Sequence, residues 1–352
     1  MSTRWQLVPL ALLALWATTA AAQELQSGAE DDPRWTLHVD NDLFAAGHRD
    51  QDYTAGIAFT LHGDGARNHR LSPSRILDFA DRATGFAAVR RDAPSEGEAF
   101  ELGLLLFSPQ ELAATQALPD DRPYASLLYV ASSTLALDEP RRAAFQSSLA
   151  IGFLGLPLAE QFHRGIHALV GSPEPGGYDH QVSDGGEPTF MYAASRYRLL
   201  ASGDLRGQPY SVRLGVGANV GYITEANVEI AFRTNAPWWE SSAAAADYSG
   251  HPQIDGPPLS VGDHPRVQFE AGAKLHARVY NAFLEGQFRH SDVTFGASGL
   301  ERMLVDVWLA ATTVLPNGFR VSYAVHRQTA EIETGRGARA FTWASIGFAQ
   351  RF

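Results

Sequence analysis

Three clusters of side chains in this chain are equipped for chemistry. In Val39–Phe59 (VDNDLFAAGHRDQDYTAGIAF), Asp40, Asn41 and Asp42 close one apolar stretch, and Asp50, Asp52 and Thr54 open the next. Oxygen-rich side chains gathered at a hairpin suit a hard cation such as calcium. The spacing is not that of an EF-hand loop, and a plain polar turn with solvated carboxylates accounts for the same residues. In Glu160–Gln181 (EQFHRGIHALVGSPEPGGYDHQ), His163 and His167 stand four apart. They therefore share one face of a helix that Gly171 and Pro173 end. Such a pair suits zinc, but no third ligand follows at a matching spacing and HExxH is absent. One of the two as a general base is chemically simpler, because imidazole titrates near neutral pH. In Phe107–Tyr129 the run DDRPYAS enters a strand: Pro123 sits where its missing N–H costs no ladder bond, and Arg122 between Asp121 and the strand reads as structural.

Composition narrows the chemistry further. The 352 residues contain no cysteine, so thiol nucleophiles, disulfides and cysteine-bound metals are excluded. The formal charge of -11 and the lack of a Lys/Arg run argue against a nucleic-acid partner. Ser172, close to His167, is the natural rival nucleophile, yet there is no GxSxG elbow, and a serine before Pro173 reads as part of a helix-ending turn.

The elements that must hold these residues follow a period of two. In Tyr210–Val220 the even positions Tyr210, Val212, Leu214, Val216, Ala218 and Val220 are apolar and the odd ones small or polar. Val267–Val279 repeats the pattern against Gln268, Glu270, Lys274, His276 and Arg278, and Phe319–Val325 repeats it again. Alternation over ten or more residues exceeds the usual globular strand of about 5–6 and fits the 9–11 that cross a bilayer at a tilt. Noisier segments near 34–43, 52–62, 97–107, 123–137, 143–154, 187–203, 224–234, 301–314 and 340–352 bring the count to about twelve, an even number as a closed exported barrel requires. Tight turns at Asp138–Arg142, Asp204–Gly207 and Leu315–Gly318 alternate with long loops at 108–122, 155–186 and 280–300, the first kind belonging on the periplasmic side. Segments 63–96 and 235–264 break this rule by being long on the short-turn side. A soluble β-sandwich would also alternate. Strand length and the terminal strand FTWASIGFAQRF, ending on Phe352, favour the membrane barrel.

The first 22 residues read as a leader. Arg4 precedes the apolar run LVPLALLALW, then small residues at Ala20 and Ala22, which is a secretory signal peptide cut after Ala22. Residues 23–352 then form one exported domain, an all-β, transmembrane antiparallel barrel of about twelve strands with a short helix in an extracellular loop.

Taken in order, NDLF (41–44), DQDYTAG (50–56), DRPYAS (121–126) and IHALVGSPEPGGYDHQ (166–181) resemble the outer-membrane lipid A 3'-O-deacylases. The resemblance implies a twelve-stranded calcium-dependent barrel of the outer membrane that removes ester-linked acyl chains from the 3' position of lipid A, with its site at the outer-leaflet end between barrel and loop. It implies that Asn41 and Thr54 are catalytic, that His167 is the catalytic histidine, and that Asp42 holds the calcium. Two departures stand out: His163 occupies the place of a usual glutamine, and a usual lysine in the third strand aligns with Leu105. On this reading His167 takes a proton from water, the hydroxide attacks the ester carbonyl, and calcium with Asn41 or Thr54 supports the oxyanion, while His163 positions substrate or water. The alternatives are a non-enzymatic barrel, channel or lipopolysaccharide-binding, for which Leu105 speaks, and an outer-membrane phospholipase, which shares calcium-assisted ester chemistry.

Overall fold

A computed structural model of the chain describes residues 34–45, 51–91, 93, 95–240, 251–252 and 266–351; the segment expected to be a leader, Asp50 and Phe352 lie outside these. Twelve strands close one antiparallel barrel: β1 Arg34–Asn41, β2 Asp52–His62, β3 Ser95–Ser108, β4 Ala125–Asp138, β5 Ala143–Leu154, β6 Glu187–Leu205, β7 Gln208–Gly221, β8 Ile223–Thr234, β9 Arg266–Asn281, β10 Met303–Val314, β11 Arg320–Gln328 and β12 Phe341–Arg351. Each strand pairs with its sequence neighbours, and β1 meets β12 from Arg34↔Arg351 to Asn41↔Ala344, which removes the edges that an open sheet would expose. Among the described residues no helix is long and apolar enough to cross a membrane.

Sequence alternation becomes inside and outside. Along β10 exposed and buried positions alternate strictly: Val305, Val307 and Leu309 face out, while Asp306 and Trp308 face in. An apolar exterior over a polar interior is the reverse of a soluble barrel and the pattern of one whose solvent is lipid. The interior is filled rather than open. Tyr53 donates to Asp40 at 2.8 Å, Thr60 and Tyr129 donate to Glu101 at 2.7 and 2.8 Å, and the ring of His326 stacks on Trp343 at 4.8 Å. Gly103 leaves the space that the Tyr129 ring occupies; a Cβ there would overlap it. Toward the end that carries the loops after β3, β5 and β9, Tyr53, Phe107, Leu127, Leu154, Phe283 and Trp343 form a buried apolar cluster.

The long connection on the tight-turn side is structured. It carries three helices, α1 Asp64–Arg67, α2 Ser74–Ala83 and α3 Phe86–Val89. On the opposite side the 155–186 loop carries α4 Pro157–Val170, the helix expected there, and the loop after β9 carries the single turn α5 Ala282–Glu285.

Candidate functional site

Helix α4 begins with Pro157 at its first turn, where a missing N–H costs nothing, and ends at Gly171 in the left-handed region with φ +74°. Its inner face carries His163 and His167, which are 2 % and 4 % exposed. The helix lies on the outer wall, where Ala159 and Phe162 pack on Ala55 of β2 and on Leu106 and Leu104 of β3. Those residues point outward by the barrel's alternation, since Leu105 between them joins the interior cluster.

The turn after α4 fixes His167. The backbone N–H groups of Gly171 and Ser172 donate to the His167 carbonyl at 2.9 and 3.0 Å, the chain reverses, and the Pro173 carbonyl arrives 2.6 Å from His167 Nδ1. A carbonyl only accepts, so Nδ1 carries the hydrogen and Nε2 carries the lone pair. That is the tautomer a general base needs. Ser172 is a turn residue here: its N–H caps the helix, and the Nδ1 face of the imidazole belongs to the Pro173 carbonyl.

His163 stands edge-to-face against His167 with ring centroids 4.3 Å apart. Its Nδ1 lies 2.8 Å from the Tyr178 hydroxyl, and its Nε2 is buried with no hydrogen-bond partner. Burial first, and the neighbouring His167 second, push its pKa down to about 3, so the ring is neutral. Tyr178 packs at a tilt, ring centroids 4.5 Å apart, on Tyr124, whose hydroxyl donates to the Leu112 carbonyl at 2.5 Å. Gly176 and Gly177 allow this closure: the Gly176 N–H donates to Leu112 at 2.9 Å, and a Cβ on Gly177 would stand 2.9 Å from the Ala114 carbonyl.

The wall beneath the helix is shaped by a β-bulge. The β2–β3 register shifts between Tyr53 and Ala55, so Thr54 is an extra residue. Tyr53 still faces the interior, while the Thr54 hydroxyl is hydrogen-bonded to that of Ser108 at the end of β3. Asn41, opposite Ala55, clamps the bulge: its Nδ2 donates to the Thr54 carbonyl at 2.7 Å, and its Oδ1 accepts from Leu43 N–H at 2.6 Å. One Nδ2 hydrogen remains for another acceptor.

The acidic hairpin divides. Asp40 faces the interior at Tyr53. Asp52, with φ +66°, turns to Arg339 at 2.8 Å and Arg122 at 3.5 Å. Arg122, 2 % exposed, also pairs with Glu331 and lies over the Phe107 and Phe341 rings, which is the structural role its sequence context suggested. Asp42, in the short 3-10 turn Asp42–Phe44, accepts from Gln51 N–H at 2.5 Å. Among the described residues no group of three or more His, Asp and Glu gathers as a metal cluster. The fit of a cation rests on Asp42, whose carboxylate is a hard oxygen donor of the kind calcium takes; a shell of six to eight oxygens then needs backbone carbonyls, water or substrate as well.

Asn41 on β1, Thr54 on β2 and His163 and His167 on α4 thus belong to three elements gathered at the outer wall. Leu105 does not: it points inward, and the outer wall at that height carries Leu104 and Leu106. At the place the resemblance sets for a lysine, this chain therefore carries an interior leucine. Ser108, Tyr178 and the Pro173 carbonyl are site components that the sequence did not reveal. FSP, GGYDH and GSP hold them, but nothing in a hydroxyl or a backbone carbonyl announces its partner.

A family model described as outer membrane protein LpxR matches residues 7–352. Among solved structures, LpxR from Salmonella typhimurium superposes with a TM-score of 0.67 at 16 % identity, covering 91 % of this chain and 100 % of that one. The KdgM porin follows at 0.37 and 6 % identity over 91 % and 99 % of the two chains, and the translocator domain of the autotransporter NalP from Neisseria meningitidis at 0.35 and 8 % over 97 % and 96 %. No curated protein matches significantly.

Proposed function

The chain belongs to the LpxR family of outer membrane proteins, and from that premise we propose that it is a calcium-dependent hydrolase of ester-linked acyl chains at the 3' position of lipid A. Its site faces the outer leaflet, between α4 and the wall of β1–β3. The single observation that carries this reading is the hydrogen bond from His167 Nδ1 to the Pro173 carbonyl, which puts the imidazole lone pair on Nε2, on a helix laid against the outside of the barrel. A lipid already in the leaflet reaches such a cleft sideways, without entering the interior.

His167 Nε2 takes a proton from water as the oxygen attacks the ester carbonyl. The remaining Nδ2 hydrogen of Asn41 and the hydroxyl of Thr54 are the donors for the negative oxygen that forms. When the tetrahedral intermediate collapses, the imidazolium returns the proton to the sugar oxygen, releasing a fatty acid and a free 3'-hydroxyl. His163, held neutral, packs the imidazole and orients water or substrate without competing for the proton. Asp42 would hold calcium, and a cation bound there would supply Lewis-acid polarisation of the ester carbonyl.

A non-enzymatic, lipopolysaccharide-binding barrel is supported by two observations: Asn41 is engaged through both ends of its amide, and Leu104 and Leu106 give the wall no cation there. Mass spectrometry of lipid A from cells expressing the protein separates the readings. Loss of the 3' acyl mass supports the hydrolase; unchanged lipid A with a folded barrel supports the binder.

A further inference from the structure

The helices between β2 and β3 lie on the outside of the barrel, on the tight-turn side. Asp81 of α2 accepts from Ser147 and Tyr192 at 2.9 Å each. Both residues share the outward phase of Phe153 and Phe190, which are exposed, while Gln146 and Ser195 between them turn inward toward Pro252 and His251. Three further contacts agree. Ser72 bonds to Ser132 at 2.7 Å, His69 stacks on Phe100 at 4.4 Å, and Phe86 meets Phe145 edge-on at 6.4 Å.

The wall they cover is unusually polar for a lipid-facing surface. Ser132, Thr134 and Ser147 point outward, and a hydroxyl left bare in hydrocarbon is costly. Helix α2 is amphipathic in the inverted sense. Ser74, Leu77 and Asp81 are buried against the wall, while Ile76 and Phe79, spaced i and i+3, face away from it and are 52 % and 64 % exposed. Leu71 and Val89 extend this exposed apolar surface. A helix bathed in periplasmic water would turn such residues inward. Here the apolar side continues the outward belt that Phe153 and Phe190 belong to, which is the surface the outer-membrane barrel presents to lipid.

Charge points to the headgroup. The chain as a whole is acidic at -11, yet Arg70, Arg75, Arg82 and Arg91 are all exposed on this one segment. Of its three acidic residues, Asp78 and Asp81 are paired with Arg67 at 2.5 Å and Arg90 at 2.9 Å and Asp64 stands in the first turn of α1, so six arginines outnumber three carboxylates on the segment. Arg75 and Arg82, seven apart, line one edge of the apolar ridge, an arrangement that suits a helix lying in an anionic interface.

We infer that residues 63–91 form an in-plane membrane element that seats in the periplasmic leaflet and binds anionic glycerophospholipid, its apolar ridge among the acyl chains and its four exposed arginines on the phosphates. The barrel thereby contacts chemically different lipids at its two ends, phospholipid here and lipid A at the opposite site.

Because the chain has no cysteine, single-cysteine labelling tests this on the full-length barrel. Phe79→Cys carries a bimane fluorophore, with Leu309→Cys on the outward face of β10 as the lipid-exposed control and Glu139→Cys in a tight turn as the water-exposed one. Each is reconstituted in vesicles of phosphatidylcholine and phosphatidylglycerol. Phe79→Cys is expected to be quenched by spin-labelled acyl chains as Leu309→Cys is, and to be shielded from aqueous iodide. Quenching should favour labelled phosphatidylglycerol over phosphatidylcholine by roughly fivefold or more, a preference lost when the four arginines become glutamine. A heat-modifiable gel band confirms that each variant is folded. Iodide quenching equal to that of Glu139→Cys overturns the inference. So does a headgroup preference that survives the arginine replacement, or pyrene excimer formation at Phe79→Cys, which would assign the ridge to a second copy of the chain.

Discussion

His167 and Pro173 are joined by a 2.6 Å hydrogen bond from the imidazole Nδ1 to the backbone carbonyl, across the turn that ends α4. The helix cap and the orientation of the base are therefore one structure. Gly171 makes the turn with φ +74°, a conformation that costs any L side chain about 1–2 kcal/mol. Space is not the limit, since a Cβ there meets nothing within 4 Å. Gly171→Ala should lower kcat roughly tenfold with KM little changed, because the carbonyl that orients the base shifts while the lipid-binding surface does not. A change confined to KM would contradict this positioning role.

His163 should make the fold acid-sensitive. Its folded pKa is about 3, below the unfolded value of about 6.5, so between those two the unfolded chain binds a proton that the folded chain does not. Stability then falls as pH drops from about 6.5 to 3, by at most about 1.4 kcal/mol per pH unit from this group. His163→Gln keeps a partner for Tyr178 and removes the titration. Its unfolding temperature should vary less across that window than that of the wild type, with activity preserved or raised. Parallel pH curves for the two proteins would argue against a buried neutral imidazole.

Calcium is tested by removal. Chelation should abolish acyl release, calcium should restore it and zinc should not, as expected for an all-oxygen site. In Asp42→Asn the calcium concentration for half-maximal activity should rise about tenfold or more, because one anionic ligand is lost. Full activity in chelator would remove the metal from the mechanism.

Thr54 and Ser108 share a hydrogen bond across the bulge. If Thr54 supplies an oxyanion donor, Thr54→Val should reduce kcat about 10²-fold or more, whereas Thr54→Ser should stay near wild type. Ser108→Ala, which removes only the partner, should cost about fivefold, the worth of one ordinary hydrogen bond. Equal losses in Thr54→Val and Ser108→Ala would mean that the pair merely holds the bulge.

The barrel was legible in the sequence because alternation is local: Val305 and Asp306 declare their faces without reference to any other strand. The helix bearing His163 and His167 was legible through their spacing and the Gly171 stop. The bulge at Thr54 was not, since it inserts a residue without changing composition, and its effect is felt only against β3. The facing of Leu105 depends on the same register, because a shift of one residue in a strand exchanges outside for inside. The acidic hairpin looked like a single cluster, yet Asp52 turns to Arg122 and to Arg339, the latter 287 residues away in sequence. Segment 63–96 broke the short-turn pattern for a physical reason: its helices return along the outer wall over β4, β5 and β6.

The central claim is that His167 is the base that activates water at the outer wall. The most direct measurement is mass spectrometry of lipid A from cells expressing wild type, His167→Ala or Ser172→Ala, each at equal levels of heat-modifiable barrel. The account predicts loss of the 3'-linked acyl mass with wild type and Ser172→Ala, and lipid A left intact with His167→Ala, a drop of at least 10²–10⁴-fold in rate. Deacylation by His167→Ala at the wild-type rate, with Ser172→Ala inactive, would contradict it and install the serine as nucleophile.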